Sequence, residues 1–385
     1  MTNKPVTIAI VGTGFVADYY MTTLAGHPEL KLAGAFDNNP ERLSRFSAFH
    51  KVKAFASFAA LLGDPSVEIL VNLASPQAHF ELSKAALEAG KHVYSEKPLA
   101  MSLSDAEQLL ALAREKHLSL ASAPANGLGD ACNLVRDQLA ANTIGTPRLV
   151  YAEMEDGPVF REKWQTWKSR SGAPWPGVHE FEIGCTLEHA GYALSWLVSL
   201  FGPVDEVTAF SALAFPDKGA GTQGYNLAPD FSVGCRRFKT GVIARLTSGL
   251  AAPRDRSLTI MGDEGSITVR DLWDNQSVVH LERNGEQRPL LQKIVRRMEA
   301  KLGKALPFKQ VPGRRLTYSQ ATGTSLPAYP SKIDFMCGVA AQAKMIRGGA
   351  PAFYSDAVAL HITELALALH NAKDLPQPYK VKSSF

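Results

Sequence analysis

The sequence predicts an α/β protein: a doubly wound parallel sheet at the N-terminus, then a second α/β domain on a mostly antiparallel sheet. Three observations predict it. Up to about residue 123, short apolar strand patterns alternate with helical ones, the order a parallel sheet requires. The first strand runs straight into a glycine turn. Beyond Pro124 strands follow one another through short turns, which favours antiparallel pairing. At 385 residues the chain is too long for one ordinary core, and the expected division is 1–123 and 124–385.

The first strand is Val6-Thr7-Ile8-Ala9-Ile10-Val11, mostly β-branched and apolar. Gly12-x-Gly14-x-x-Ala17 follows at once and opens a helix over 15–26. This is a dinucleotide fingerprint: the first glycine allows the turn, the second admits a pyrophosphate, and the small third residue lets helix pack on strand. The phosphates would meet the backbone of Gly12, Thr13, Gly14, Phe15 and Val16, where unpaired N–H groups and the helix dipole favour an anion. A second strand over 30–36 ends in Asp37, whose carboxylate can accept both ribose hydroxyls and would repel a 2′-phosphate. NAD is therefore expected as cofactor, with NADP possible through Arg42, one helical turn on.

The alternation continues with a helix over 40–49 opened by proline, a short strand over 52–55, a short helix over 58–62 and a buried strand over 67–74. A helix over 77–89 is closed by Gly90. A strand over 92–95 follows, then a helix over 104–116 with the capping box Ser104-x-x-Glu107, and a strand over 118–121. The second part begins with a helix over 130–142 and a strand over 148–155. An irregular stretch over 156–176 carries Trp164, Trp167 and Trp175. One helix is predicted over 182–201, stopped by Gly202-Pro203. Strands follow over 204–215, 231–238, 242–248, 258–261, 266–270 and 278–283, with closing helices over 334–347 and 355–371.

Composition narrows the function classes. Hydrophobic content of 45%, charged content of 20% and net charge of +4 describe a globular protein and give no reason to invoke nucleic acid. The cysteines Cys132, Cys185, Cys235 and Cys337 stand far apart, against a disulfide framework or metal ribbon. The start runs directly into the first strand, and no apolar run reaches membrane-spanning length. A cytoplasmic protein with no membrane partner is the expectation. One stretch, 288–315, is strongly basic, with apolar residues at helical spacing. It reads as an amphipathic helix touching an anionic membrane or an acidic partner, or as one docking its stripe on the body or a second subunit.

The ordered set GxGxxA, Asp37, Ala74-Ser75-Pro76-Gln77-Ala78-His79, Gly90-Lys91-His92-Val93-x-x-Glu96-Lys97-Pro98-Leu99-Ala100 and Gly262-Asp263-Glu264-Gly265-Ser266 resembles the Gfo/Idh/MocA oxidoreductases. The resemblance implies an N-terminal Rossmann domain and a C-terminal α/β domain with a large open sheet. It implies a nicotinamide cofactor, a sugar or cyclitol hydroxyl carbon as the reacting centre, and pairing into a homodimer or homotetramer. The loop Ala74, Ser75, Pro76 with His79 would lie on the nicotinamide side, with Glu96 and Lys97 beside it.

Lys97 also makes sense alone. It follows a parallel strand's carboxyl end, where ligands bind, and can donate to a hydroxyl or carbonyl oxygen. The resemblance places the second catalytic element at Glu188 and Tyr192, counting back from Phe201-Gly202, with Glu and Tyr where Asp and His are commonest. Tyrosine there is similar to the glucose-fructose oxidoreductase and dihydrodiol dehydrogenase branch. Tyr192 would exchange the hydroxyl proton, helped toward phenolate by Lys97, and Glu188 would orient substrate or lysine. His189 is the alternative proton handler, expected on another helix face. Arg161, Trp164, Lys168, Trp175 and His179 form the candidate substrate wall, since indoles stack on sugar rings and cations bind carboxylates or phosphates. His179, Glu182 and His189 have the donor types for a metal, but the resemblance implies none. It also leaves open a redox glycosidase that uses NAD transiently and a non-enzymatic nucleotide-sensing regulator. The oxidoreductase on a secondary alcohol is the main expectation.

Overall fold

A computed structural model describes residues 4–285, 290–303, 313–318, 326 and 332–385. The N-terminal part runs β1 (Val6–Val11), α1 (Phe15–Leu24), β2 (Leu30–Phe36), α2 (Pro40–His50), α3 (Phe58–Leu62), β3 (Ile69–Asn72), α4 (His79–Glu88), β4 (His92–Ser95), α5 (Leu103–Glu115) and β5 (Leu120–Ser122). Its five strands lie in the order β2-β1-β3-β4-β5, all parallel. Along β1, Val6, Ile8 and Ile10 enter one apolar cluster while Ala9 and Val11 enter another. Both faces of the sheet are thus covered, as βαβ crossovers require.

The second part runs α6 (Asp130–Ala140), β6 (Pro147–Glu155), α7 (Gly177–Ile183), α8 (Gly191–Phe201), β7 (Val204–Ala212), β8 (Phe231–Phe238), β9 (Ile243–Gly249), β10 (Leu258–Gly262), β11 (Gly265–Val269), β12 (Val279–Arg283), α9 (Leu290–Leu302), β13 (Arg314–Arg315), α10 (Cys337–Ile346), α11 (Asp356–His370) and β14 (Tyr379–Lys380). Its sheet has the order β13-β12-β11-β10-β6-β9-β8-β7-β14, antiparallel except for the pair β6 and β9. Alternate residues of β6 and β9 (Val150, Ala152, Ala244, Leu246) are buried against α8. Leu149, Tyr151 and Ile243 stand exposed on the outer face, with Phe210 of β7.

The C-terminal helices return to the first sheet. Gln342 of α10 donates to the Val93 carbonyl at 2.9 Å and to Ser119 Oγ at 3.0 Å, and Ala359 and Leu360 of α11 join the apolar cluster under α5. Among the described residues no helix is long and apolar enough to cross a membrane.

Four local expectations change. Residues 52–55 form a single bridge, Ala35 to Ala54, rather than a strand, because only Phe55 of the four is buried. The cap of α5 is Ser102, whose Oγ accepts from Asp105 N at 3.1 Å, so Ser104 lies inside the first turn. The predicted helix over 182–201 is interrupted. Gly184 takes φ +84°, where a Cβ would also lie 2.7 Å from the Pro229 carbonyl oxygen; a π-helical turn, Thr186–Ala190, then leads into α8. In the basic stretch α9 forms, but Ile294, Met298 and Leu302 are exposed rather than docked on the body.

Candidate active site

The fingerprint turn is shaped for a diphosphate. Gly12 has φ +89°, and a Cβ there would lie 2.6 Å from Ala74 N and the Leu73 carbonyl, so only glycine lets this turn close on the end of β3. Gly14 is the N-cap of α1, no side chain caps it, and the space above its Cα is open. The first N–H groups of the helix at Phe15 and Val16 therefore face room for an anion. These residues fit a dinucleotide. Asp37 closes the far end: its Oδ2 accepts from Thr13 N at 2.7 Å and Thr13 Oγ1 at 3.0 Å, and Arg42 grips both carboxylate oxygens.

The loop of Ala74, Ser75 and Pro76 leads through a short 3-10 turn into α4. His79, the first residue of that helix, is buried, and its Nδ1 donates to the Pro98 carbonyl at 2.7 Å. Burial pushes its pKa down, and its Nε2 lies 3.1 Å from the Ala74 carbonyl oxygen. It pins this loop to the Lys97-Pro98 loop from below. Asn72, from the same strand end, is engaged with the His79 carbonyl and Ser83 Oγ.

Past the end of β4 the Glu96 carboxylate accepts from Tyr20 OH at 2.7 Å and from Lys97 N at 3.0 Å. Lys97 Nζ then reaches across to the second part of the chain and donates to Glu188 Oε2. Burial works against the ammonium, but the Glu188 carboxylate raises the lysine pKa well above its ordinary value. Tyr192 lies beside them with its ring against Trp273, centroids 4.8 Å apart. Burial and the Glu96 charge push its phenol well up, and Lys97 does not offset them. Glu188, the lysine's partner, adds to the upward push.

The π-helical turn alters which faces meet. His189 is not remote from Tyr192: both rings contact Trp273, His189 at 5.9 Å. Its Nδ1 lies 3.0 Å from Asp156 Oδ2, and burial keeps its pKa low. Arg256 lies over Trp273 at 4.1 Å and between Asp156 and Asp271, 3.6 Å from each. Burial beside Glu188 pushes the Glu180 carboxyl well up. A small cavity lined by Tyr20, Glu96, Tyr192 and Asp334 sits at this junction. It shares Ile333 and Asp334 with a cavity of about 460 Å³ lying against Trp273.

The sequence reading missed Tyr20, Asp156, Arg256 and Trp273. Asp156 had a signal, since it follows the end of a strand; Arg256 and Trp273 had none. The expected substrate wall is only partly assembled. Trp164 and Trp175 pack on each other and on Phe181, anchoring their own loop. Arg161 is exposed over Phe160 and Phe215, and Lys168 is exposed at a bridge to Pro174. His179 stays on α7 next to Glu180, its Nε2 buried without a hydrogen-bond partner. No group of three or more His, Cys, Asp or Glu among the described residues is arranged to hold a metal.

Residues 6–123 match a family described as an oxidoreductase family with an NAD-binding Rossmann fold, and residues 133–268 match its Gfo/Idh/MocA C-terminal domain. The 1,5-anhydro-D-fructose reductase of Ensifer adhaerens is 29% identical over 59% of this chain and 64% of its own length. The trans-1,2-dihydrobenzene-1,2-diol dehydrogenase of Mus musculus is 23% identical over 74% of this chain and 80% of its own. The WlbA dehydrogenase of Bordetella pertussis, solved with NADH and UDP-GlcNAcA, shares the fold at a TM-score of 0.69. It is 20% identical, with 99% of this chain and 100% of that one covered.

Proposed function

Since the chain belongs to the Gfo/Idh/MocA oxidoreductase family, we propose that it transfers hydride between a bound nicotinamide dinucleotide and a secondary alcohol or ketone carbon of a sugar or cyclitol-like substrate. The observation that carries this reading is the ion pair of Lys97 and Glu188 with Tyr192 beside it, at the carboxyl edge of the parallel sheet. A bound nicotinamide supplies or accepts the hydride. The protein's part is the proton and the geometry. At rest the site holds an ammonium, a carboxylate and a neutral phenol, two of them proton donors. That state suits a carbonyl gaining hydride, whose oxygen takes a proton from Tyr192 or Lys97 as charge develops.

A polyhydroxylated ligand fits the surroundings. Trp273 Nε1, beside Tyr192, and His179 Nε2, next to Glu180, are buried without hydrogen-bond partners, and sugar hydroxyls offer both donors and acceptors. The sugar reductases among the relatives support the same class. Asp37 favours NAD, and Arg42 leaves NADP open. The exposed apolar residues Leu149, Tyr151, Ile243 and Phe210 on the outer sheet face favour pairing of two copies. The test is loss of reduced-nicotinamide absorbance with a panel of keto-sugars. Saturable turnover, lost in Lys97→Ala while cofactor still binds, is expected. Undiminished turnover in that variant overturns the catalytic assignment.

A further inference from the structure

The net charge of the protein is unevenly placed. Residues 288–315 hold nine of the 41 lysines and arginines but one of the 37 acids, so this stretch carries +8 and the rest of the chain −4. Within it α9 runs for 13 residues, about 20 Å. At about 100° per residue, positions 294, 295, 298 and 302 fall within one arc of about 100° of the helix, all of them aliphatic or methionine. The basic positions 297 and 301 flank that stripe on the side of 294.

The structure adds what the spacing alone leaves open. The apolar side does not close on the body: Ile294, Met298 and Leu302 are 52, 47 and 59% exposed. The stretch's described end is paired into the sheet. It leaves the end of β12 and returns as β13, which pairs Arg315 with His280 and Arg314 with Leu281, making it the edge strand of the large sheet. Arg314 and Arg315 are themselves exposed there. Among the described residues, α9 thus presents three exposed apolar side chains with basic residues beside them.

We propose that α9 is a peripheral membrane-docking element that lies flat on an anionic lipid surface, its apolar ridge in the headgroup–acyl boundary and its cations among lipid phosphates. Charge complementarity selects this occupant. Two copies of α9 packed ridge to ridge would bring like charges together, with no acid but Glu299 to offset them. A plane of anionic headgroups satisfies both the exposed ridge and the excess positive charge. The proposal concerns attachment, not spanning.

The test is flotation of the full chain with vesicles of three parts phosphatidylcholine to one part phosphatidylglycerol, against phosphatidylcholine alone. Binding is expected to the anionic vesicles only, weakened at least about tenfold by high salt. The ridge variant I294D/M298D/L302D and the charge variant R297E/K301E are each expected to lose it while keeping the wild-type melting temperature and cofactor binding. No flotation with anionic vesicles, or flotation unchanged in both variants, overturns the proposal. So does a vesicle-free, concentration-dependent rise in mass that the ridge variant abolishes, since the ridge would then belong to a second copy.

Discussion

Arg42 holds Asp37 by both carboxylate oxygens, Nε to Oδ2 and Nη2 to Oδ1, each at 2.9 Å. The acid expected to read the ribose is therefore already neutralised. Burial opposes its ionisation, yet Arg42 and the Thr13 and Asn39 N–H groups hold its pKa below the ordinary value. A guanidinium so placed suits a 2′-phosphate once it turns from Asp37. Arg42→Ala is expected to weaken NADP(H) at least about tenfold and NAD(H) by less than about threefold, read by nicotinamide fluorescence titration. Equal losses for both would mean that Arg42 meets neither the ribose nor its phosphate.

Lys97 and Glu188 form a buried pair whose members have separable effects. Lys97→Met is expected to lower kcat by roughly 10²–10⁴, the range of a lost proton donor. It should also destabilise the fold by about 3 kcal/mol, because Glu188 is left buried and unpaired. Adding Glu188→Gln should restore most of the melting temperature and none of the rate. A double variant as unstable as the single would show that Glu188 is satisfied by other groups.

The fold was legible because its signals are local. Gly12 must take positive φ against β3, and β1 is apolar on both faces, so neighbouring residues announce the turn and the parallel sheet. Lys97 and Glu188 were reachable for the same reason: each sits in a short recognisable pattern. The site's depth was not. Trp273 and Arg256 come from loops between strands, and only the packed chain brings them to Tyr192. The π-helical turn was hidden as well, since the break at Gly184 comes from contact with the Pro229 carbonyl oxygen, 45 residues downstream.

Asp18 ties the tryptophan-bearing loop to the dinucleotide-binding sheet. Fully buried on α1, it accepts from Ser171 N at 2.9 Å, from Ser171 Oγ at 2.8 Å and from His50. Asp18→Ala leaves these donors unpaired and is expected to cost about 2–3 kcal/mol, with faster hydrogen exchange over residues 165–175. Burial raises the Asp18 pKa, but His50 and the serine donors win and hold it low. Its stabilisation is therefore full above the ordinary pKa of 3.8 and lost as pH falls through the lowered one. Asp18→Asn should accordingly flatten the acid limb of the stability profile. An unchanged acid limb would remove Asp18 from the account.

Glu155 predicts the opposite dependence. Burial, then the neighbouring Asp156 charge, raises its pKa to about 7. A carboxyl that titrates higher in the folded chain than in the unfolded one stabilises the fold below the unfolded value. That contribution is lost as pH rises through about 7. Glutamine keeps the shape of the neutral acid and cannot ionise. Glu155→Gln should therefore match the wild type near pH 4 and exceed its stability at pH 8 by about 3 kcal/mol, measured by urea unfolding across that range. A constant offset between the two proteins would show that Glu155 does not titrate there. A gap opening below pH 5 instead would mean that its carboxylate is stabilised in the fold, with Arg256 the nearest cation to its partner Asp156.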